Sequence, residues 1–117
     1  MKNIFYIISI ALLLSSCSEV KQENRIAENN ELVEFAKVNC MFWYFKKKGY
    51  SIEDIGAISG GIVELGSYSA EKYSKVAFLV KEYKPNIQTK NKIDIDLLKC
   101  FQMEKDSDFL LKIEKLK

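Results

Sequence analysis

Apolar residues recur at spacings of three and four along most of this chain, which is the periodicity of an amphipathic helix. The first such stretch spans residues 30–48, where the apolar stripe includes Trp43 and is widened by Met41 and Phe45. We therefore predict a central first helix. Three consecutive lysines at its end suit the negative end of the helix dipole, although a patch for nucleic acid or anionic lipid is the alternative. Gly49 fits the position that commonly follows a helix.

A second helix is predicted to begin at Ser51, with Asp54 completing an approximate capping box, and to end at Gly66. Its expected buried face is a row of aliphatic side chains: Ile52, Ile55, Ile58, Ile62 and Leu65. Gly60 and Gly61 lie inside this pattern, where each glycine costs about 1 kcal/mol relative to alanine. We expect the glycine pair to mark a close crossing with another helix.

A third helix is predicted to be capped by Ser69 and stopped by Pro85. Its buried stripe comprises Tyr73, Val76, Ala77, Val80 and Tyr83, widened by Phe78 and Leu79. Asp94 is expected to cap a fourth helix with inward-facing Leu97, Leu98, Cys100 and Phe101. Ser107 and Asp108 open a short last helix.

The pattern predicts an all-α compact bundle of about five helices, with a polar, exposed loop over residues 86–92.

The N-terminus departs from this pattern. Lys2 precedes an apolar run over residues 4–14, which ends in Ser15, Ser16 and Cys17. The run has the length of a signal peptide and is shorter than the roughly 20 apolar residues that span a bilayer. Small residues before a cysteine resemble the bacterial lipobox, which implies cleavage before Cys17 and acylation of its thiol. A plain signal peptide with an incidental cysteine is the alternative.

These features predict three segments. Residues 1–16 are expected to be a lipoprotein signal peptide. Residues 17–30 are polar and are expected to form a flexible tether or the frayed start of the first helix. Residues 31–117 then form one domain. The expected location is periplasmic and lipid-anchored, where disulfides persist. Ser18 after the acylated cysteine resembles the signal for outer-membrane sorting in enteric bacteria.

The chain has three cysteines. With Cys17 assigned to the lipid, Cys40 and Cys100 remain as an even pair, and we predict a disulfide between them. Such a bond closes a loop of about 60 residues and contributes roughly 4 kcal/mol in the chain-entropy model. Two separate buried thiols are the alternative.

Little in the composition favours an enzyme. There is no histidine, the residue that most often performs general acid–base catalysis, and the cysteines are already assigned. Close carboxylate pairs such as Asp94 with Asp96 are expected at helix starts, where they satisfy backbone amides. We therefore predict no catalytic residue, no metal and no cofactor. An enzyme that uses one of these carboxylate pairs is the alternative. A net charge of +2 excludes the strong basic field that nucleic acid binding needs.

Two segments resemble type VI secretion amidase-effector immunity proteins. The stretch Leu97-Leu98-Lys99-Cys100-Phe101-Gln102-Met103 is similar to the Leu-Leu-Lys-Cys-Leu-Asp-Met ending of that family. The stretch Leu65-Gly66-Ser67-Tyr68-Ser69-Ala70-Glu71-Lys72-Tyr73 resembles its Trp-Gly-x-Tyr-x-x-Glu-x-Tyr segment, with Leu65 in place of the frequent Trp. Cys40 also has a counterpart on the first helix of the family.

The resemblance implies an all-helical periplasmic protein, often a homodimer, that has no activity of its own. It implies tight binding to a secreted amidase, a cysteine–histidine peptidase that cuts the stem peptides of peptidoglycan, and occlusion of its cleft. The lipid tether would hold the inhibitor beside the cell wall. A periplasmic structural or assembly lipoprotein that binds envelope machinery is the alternative function.

A loop can enter a concave cleft that a flat helix face cannot. On that ground the best candidate for contact with the toxin is the loop comprising Asn86, Ile87, Gln88, Thr89 and Lys90. The turn near Glu64, Tyr68 and Glu71 is the second candidate, because exposed tyrosines suit interfaces. The alternative is that the loop is an ordinary connection and Tyr68 an ordinary core residue.

Mass spectrometry of native material tests the processing and the pairing together. We expect the mature chain to begin at an acylated Cys17 and to contain Cys40 and Cys100 joined as a disulfide. Free thiols at both positions, in a chain that retains its first sixteen residues, would contradict both predictions.

Overall fold

The computed structural model describes the backbone of residues 17–117 and the side chains of residues 31–117. The predicted signal peptide, residues 1–16, and the side chain of Cys17 lie outside this part. The helices are α1 (Cys17–Lys48), α2 (Glu53–Leu65), α3 (Ala70–Glu82), α4 (Ile95–Gln102) and α5 (Ser107–Glu114), with a 3-10 turn (Met103–Lys105) before α5. The described residues contain five α-helices and no strand, which confirms the predicted all-α class.

Helix α1 is the central element of the fold, because all four other helices pack against it. Its 32 residues make a rod of about 48 Å. It begins at Cys17, well before the predicted start at residue 30, and no glycine or proline interrupts residues 17–48. The core lies between α1, α3, α4 and α5 and comprises Leu32, Phe35, Ala36, Cys40, Tyr73, Val76, Val80, Cys100, Met103, Phe109 and Ile113.

A disulfide between Cys40 and Cys100 joins α1 to α4, as predicted. The two Cα atoms are 5.5 Å apart, and both side chains are buried, with exposed fractions of 3% and 0%. Since the bond lies inside the core, it acts together with packing to hold α4 on the surface of α1.

Most helix ends follow the predicted signals. Ser69 accepts a hydrogen bond from the N–H of Lys72 at the start of α3, and Gly49 has the positive φ of +76° that ends α1. The predicted cap at Ser51 is wrong, because Ile52 occupies that position and offers no side-chain hydrogen bond. Helix α5 is capped by Asp106, one residue before the predicted opening.

Several side chains predicted to be buried are exposed. Helix α2 packs chiefly against α1, so the far edge of its aliphatic row, Ile58 and Leu65, is in solvent. The expected close crossing at Gly60 and Gly61 is also wrong, because a Cβ at either position would meet nothing within 4 Å. Three large aromatic side chains are likewise more than two-fifths exposed: Trp43, Phe78 and Phe101.

Replacing both Cys40 and Cys100 by alanine tests how far the fold depends on the disulfide. We expect the free energy of unfolding to fall by about 4 kcal/mol, because the loop closed by the bond no longer restricts the unfolded chain. Denaturant unfolding followed by circular dichroism measures the change, and the wild-type protein with and without reductant is the control. A loss below about 1 kcal/mol would contradict this role.

Candidate functional site

The turn between α2 and α3 is hydrogen-bonded to α1 through one carboxylate, that of Glu31. Glu31 accepts hydrogen bonds from the N–H and the hydroxyl of Ser67, each at 2.8 Å, and from the hydroxyl of Tyr73. Burial opposes ionisation of Glu31, but these three bonds outweigh it and lower the pKa of the carboxyl group. Burial and the bond to Glu31 raise the pKa of Tyr73 to about 12. The turn therefore has a defined position.

Gly66 is required in this turn because its neighbours leave no room for a side chain. A Cβ at this position would collide with the Tyr73 hydroxyl and the Glu31 carboxylate, and it would lie 2.7 Å from the backbone oxygen of Ile62. The close approach that we predicted at Gly60 and Gly61 thus occurs at Gly66, where α2 ends against α1 and α3.

The second set of candidate contact residues lies around this turn. Glu64 and Glu71 are exposed, whereas Tyr68 is half-buried and packs against the core. The Tyr68 ring makes an edge contact with Tyr73 at 6.3 Å between centroids, and the Lys72 ammonium lies 5.3 Å from its centre. Tyr68 therefore contributes to packing and offers only part of its ring to a partner.

The first set lies in the connection between α3 and α4, which runs without helix or strand over residues 83–94 and is called the α3–α4 connection below. Asn86, Gln88, Thr89 and Lys90 are exposed, and Ile87 is half-buried. Residues 82–88 form one wall of a groove of 680 Å³, with the start of α5 on the opposite side. The middle of the connection is thus accessible, while Ile87 is partly covered and lines this groove.

A hydrogen bond from Tyr83 to Asp106 fixes the first end of the α3–α4 connection. The Tyr83 hydroxyl donates to Oδ2 of Asp106 at 2.9 Å, and Oδ1 of the same carboxylate caps α5 by accepting from the N–H of Asp108 at 3.0 Å. The bond from Tyr83 lowers the pKa of Asp106. Burial, together with that bond, raises the pKa of Tyr83.

The second end of the α3–α4 connection is fixed in the same way. The Tyr44 hydroxyl on α1 donates to Oδ2 of Asp94 at 2.8 Å, and Oδ1 of Asp94 accepts from the N–H of Asp96 at the start of α4. The hydrogen bond lowers the pKa of Asp94 and raises that of Tyr44 to about 12. Lys48 adds an ion pair with Asp94 at 3.3 Å, and Lys47 one with Asp96 at 2.8 Å. Two lysines of the run at the end of α1 thus bind the carboxylates that begin α4.

The two predicted contact sets do not form one surface. The turn near Tyr68 precedes α3 and the α3–α4 connection follows it, so the 13 residues of α3 separate them by roughly 20 Å. A single small contact cannot cover both.

No match to this chain is found among protein-family models, curated proteins or solved structures. Within the described part, no three His, Cys, Asp or Glu side chains come together as a metal site. None of the helices described here combines the length and the apolar character that crossing a membrane requires.

Sequence reasoning missed the tyrosine–carboxylate pairs that position these segments. The helix-start signal identified Asp94, but its partner Tyr44 lies 50 residues earlier in the chain. Tyr83 and Tyr73 were predicted only as core residues, and Glu31 was assigned no role. The signal that could have found them is a tyrosine at the edge of an apolar stripe, since a buried tyrosine hydroxyl usually has a hydrogen-bond partner.

Acid titration of stability tests the Tyr83–Asp106 pair. The folded protein lowers the pKa of Asp106 below the ordinary value of 3.8. The ionised carboxylate therefore adds to the free energy of unfolding above pH 3.8, and this contribution is lost as the pH falls through the lowered pKa of the folded state. Asp106→Asn keeps a capping side chain and should show a smaller loss of stability below about pH 4. Tyr83→Phe should cost about 1 kcal/mol at neutral pH and also weaken the acid dependence.

Denaturant unfolding across the pH range measures both effects. Asp108→Asn, a change of the same kind at an exposed neighbouring position, is the matched control and should follow the wild type. Parallel acid profiles for Asp106→Asn and wild type would contradict the assignment.

Proposed function

We propose that this protein is an immunity protein that binds a type VI secreted peptidoglycan amidase and occludes its active-site cleft, which protects the producing cell. The proposal starts from the two segments that resemble that family. It gains support from the places of the matched residues in the structure. Gly66 packs against the hydroxyl of Tyr73, and Cys100 and Met103 are fully buried in the core.

The observation that carries the blocking role is the form of the α3–α4 connection. Each of its ends is held by a tyrosine–aspartate hydrogen bond, Tyr83 with Asp106 and Tyr44 with Asp94. Its middle, residues 88–90, is exposed. A segment with fixed ends loses less conformational entropy on binding than a free loop, so this connection is suited to enter a cleft.

The α2–α3 turn is the second candidate contact. Leu65, which stands where the family often has Trp, is 89% exposed at the end of α2, and Glu64 beside it is also in solvent. Because this turn is at the far end of α3, it would contact a separate part of the amidase or a different molecule.

The same proposal places the protein in the periplasm, anchored through an acylated Cys17, with the outer membrane as the expected site. An anchor there would keep the inhibitor beside the peptidoglycan that the amidase cuts. The homodimer that the resemblance implies stays a prediction.

Inhibition of the co-encoded amidase by the mature chain tests the proposal. We expect peptidoglycan cleavage to stop at one chain per amidase. In the α3–α4 connection, the double change Gln88→Gly and Lys90→Glu should weaken inhibition at least tenfold, about 1.4 kcal/mol. It alters the exposed middle of the connection and leaves the tyrosine–aspartate hydrogen bonds at both ends intact. Cleavage assays at several inhibitor concentrations measure the effect.

Lys115→Glu is the matched control, because it reverses an exposed charge of the same kind directly after α5 and should inhibit like the wild type. If the wild type inhibits and the changed connection inhibits equally well, another segment occludes the cleft, and the α2–α3 turn becomes the first candidate. If the wild-type chain leaves the amidase fully active, the proposed function is wrong.

A further inference from the structure

A groove of 400 Å³ opens between α1, α3 and α4 and is not used by the function proposed above. We call it the Trp43 groove. It is lined by Cys40, Trp43, Tyr44, Lys47, Val80, Lys81, Asp96 and Lys99. Cys40 and Val80 are buried core residues, so they form an apolar floor, and the disulfide to α4 keeps two of the walls in place.

The side chain that stands out in this groove is Trp43. It is the only tryptophan of the chain and is 52% exposed. Its indole makes an edge contact with Phe42, and the Lys46 ammonium lies 5.2 Å from the ring centre. A large aromatic side chain that the core does not use, beside an apolar floor, has the character of an interface hot spot.

The charge around Trp43 is strongly one-sided. The groove lining contains three lysines and one carboxylate, Asp96, which forms an ion pair with Lys47 at 2.8 Å. Lys81 and Lys99 form no ion pair with a carboxylate within residues 31–117. With Lys46 above the indole, the rim carries positive charge that the described part of the chain leaves largely uncompensated.

The Trp43 groove also adjoins both ends of the α3–α4 connection. Lys81 lies shortly before that connection and Asp96 shortly after it, and Tyr44 both lines the groove and holds Asp94. The Trp43 groove therefore lies beside the two ends of the segment that we propose to enter the amidase cleft.

From these observations we infer that the Trp43 groove is a second anchor for the same partner, and that it takes an acidic segment carrying an apolar or aromatic side chain. The apolar side chain would pack on Trp43 over the floor formed by Cys40 and Val80. The flanking carboxylates would pair with Lys81 and Lys99. This inference rests on the proposed function for the identity of the partner, and it adds the chemistry of the surface that the partner must present.

Affinity measurements with the co-encoded amidase test the inference. We expect Trp43→Ala to weaken binding of the mature chain by roughly tenfold or more. The double reversal Lys81→Glu with Lys99→Glu should weaken it at least as much, because it opposes the acidic segment while leaving Trp43 and the core unchanged. It should also remove most of the decrease in affinity that the wild type shows as ionic strength rises.

Leu111→Ala is the matched control, because Leu111 is 55% exposed on α5 but lies outside the groove. Circular dichroism and thermal unfolding check that each variant is folded, and the double reversal tests the groove even if the loss of the indole weakens the fold. The inference is overturned if Trp43→Ala and the double reversal both bind like the wild type while changes in the α3–α4 connection weaken binding. A wild-type chain that does not bind the amidase overturns this inference together with the proposed function.

Discussion

The four shorter helices share one packing surface, the buried side of α1, and everything else in the structure depends on their attachment to it. Helix α4 has eight residues, well below the roughly 12–15 that an isolated helix needs to be even marginally stable in water. Packing and the bond from Cys40 to Cys100 hold it against α1. Because α4 begins where the α3–α4 connection ends, this attachment also determines where the exposed residues 88–90 are presented.

Two aspartates perform the same pair of tasks at the two ends of that connection. One oxygen of Asp94 and one of Asp106 accept from backbone amides at helix starts. The other oxygen accepts from a tyrosine hydroxyl, which belongs to Tyr44 on α1 or to Tyr83 directly after α3. A carboxylate has enough acceptor sites for both. Helix initiation and tertiary contact are therefore coupled, since a helix that begins at either aspartate also places the adjoining end of the connection.

The fold was largely predictable from the sequence, because helical periodicity, Ser69, Asp94 and Gly49 are local signals. Which face of each helix is buried was less predictable. Trp43 belongs to the apolar stripe of α1, yet it borders a groove because α3 and α4 do not close over it. Gly60 and Gly61 suggested a close approach that occurs at Gly66 instead. These outcomes depend on which helix is adjacent, and spacing along one helix contains no information about its neighbours.

The unbroken helix α1 has a mechanical consequence if the chain is anchored to a membrane through Cys17. Residues 17–30 continue the same helix that forms the centre of the domain, and they extend it by about 20 Å. If Cys17 is acylated as proposed, the domain would stand off the bilayer on a short rigid stalk. Its distance from the lipid would then be set by the length of the helix, and rotation about the stalk axis would decide which side of the domain faces the cell wall.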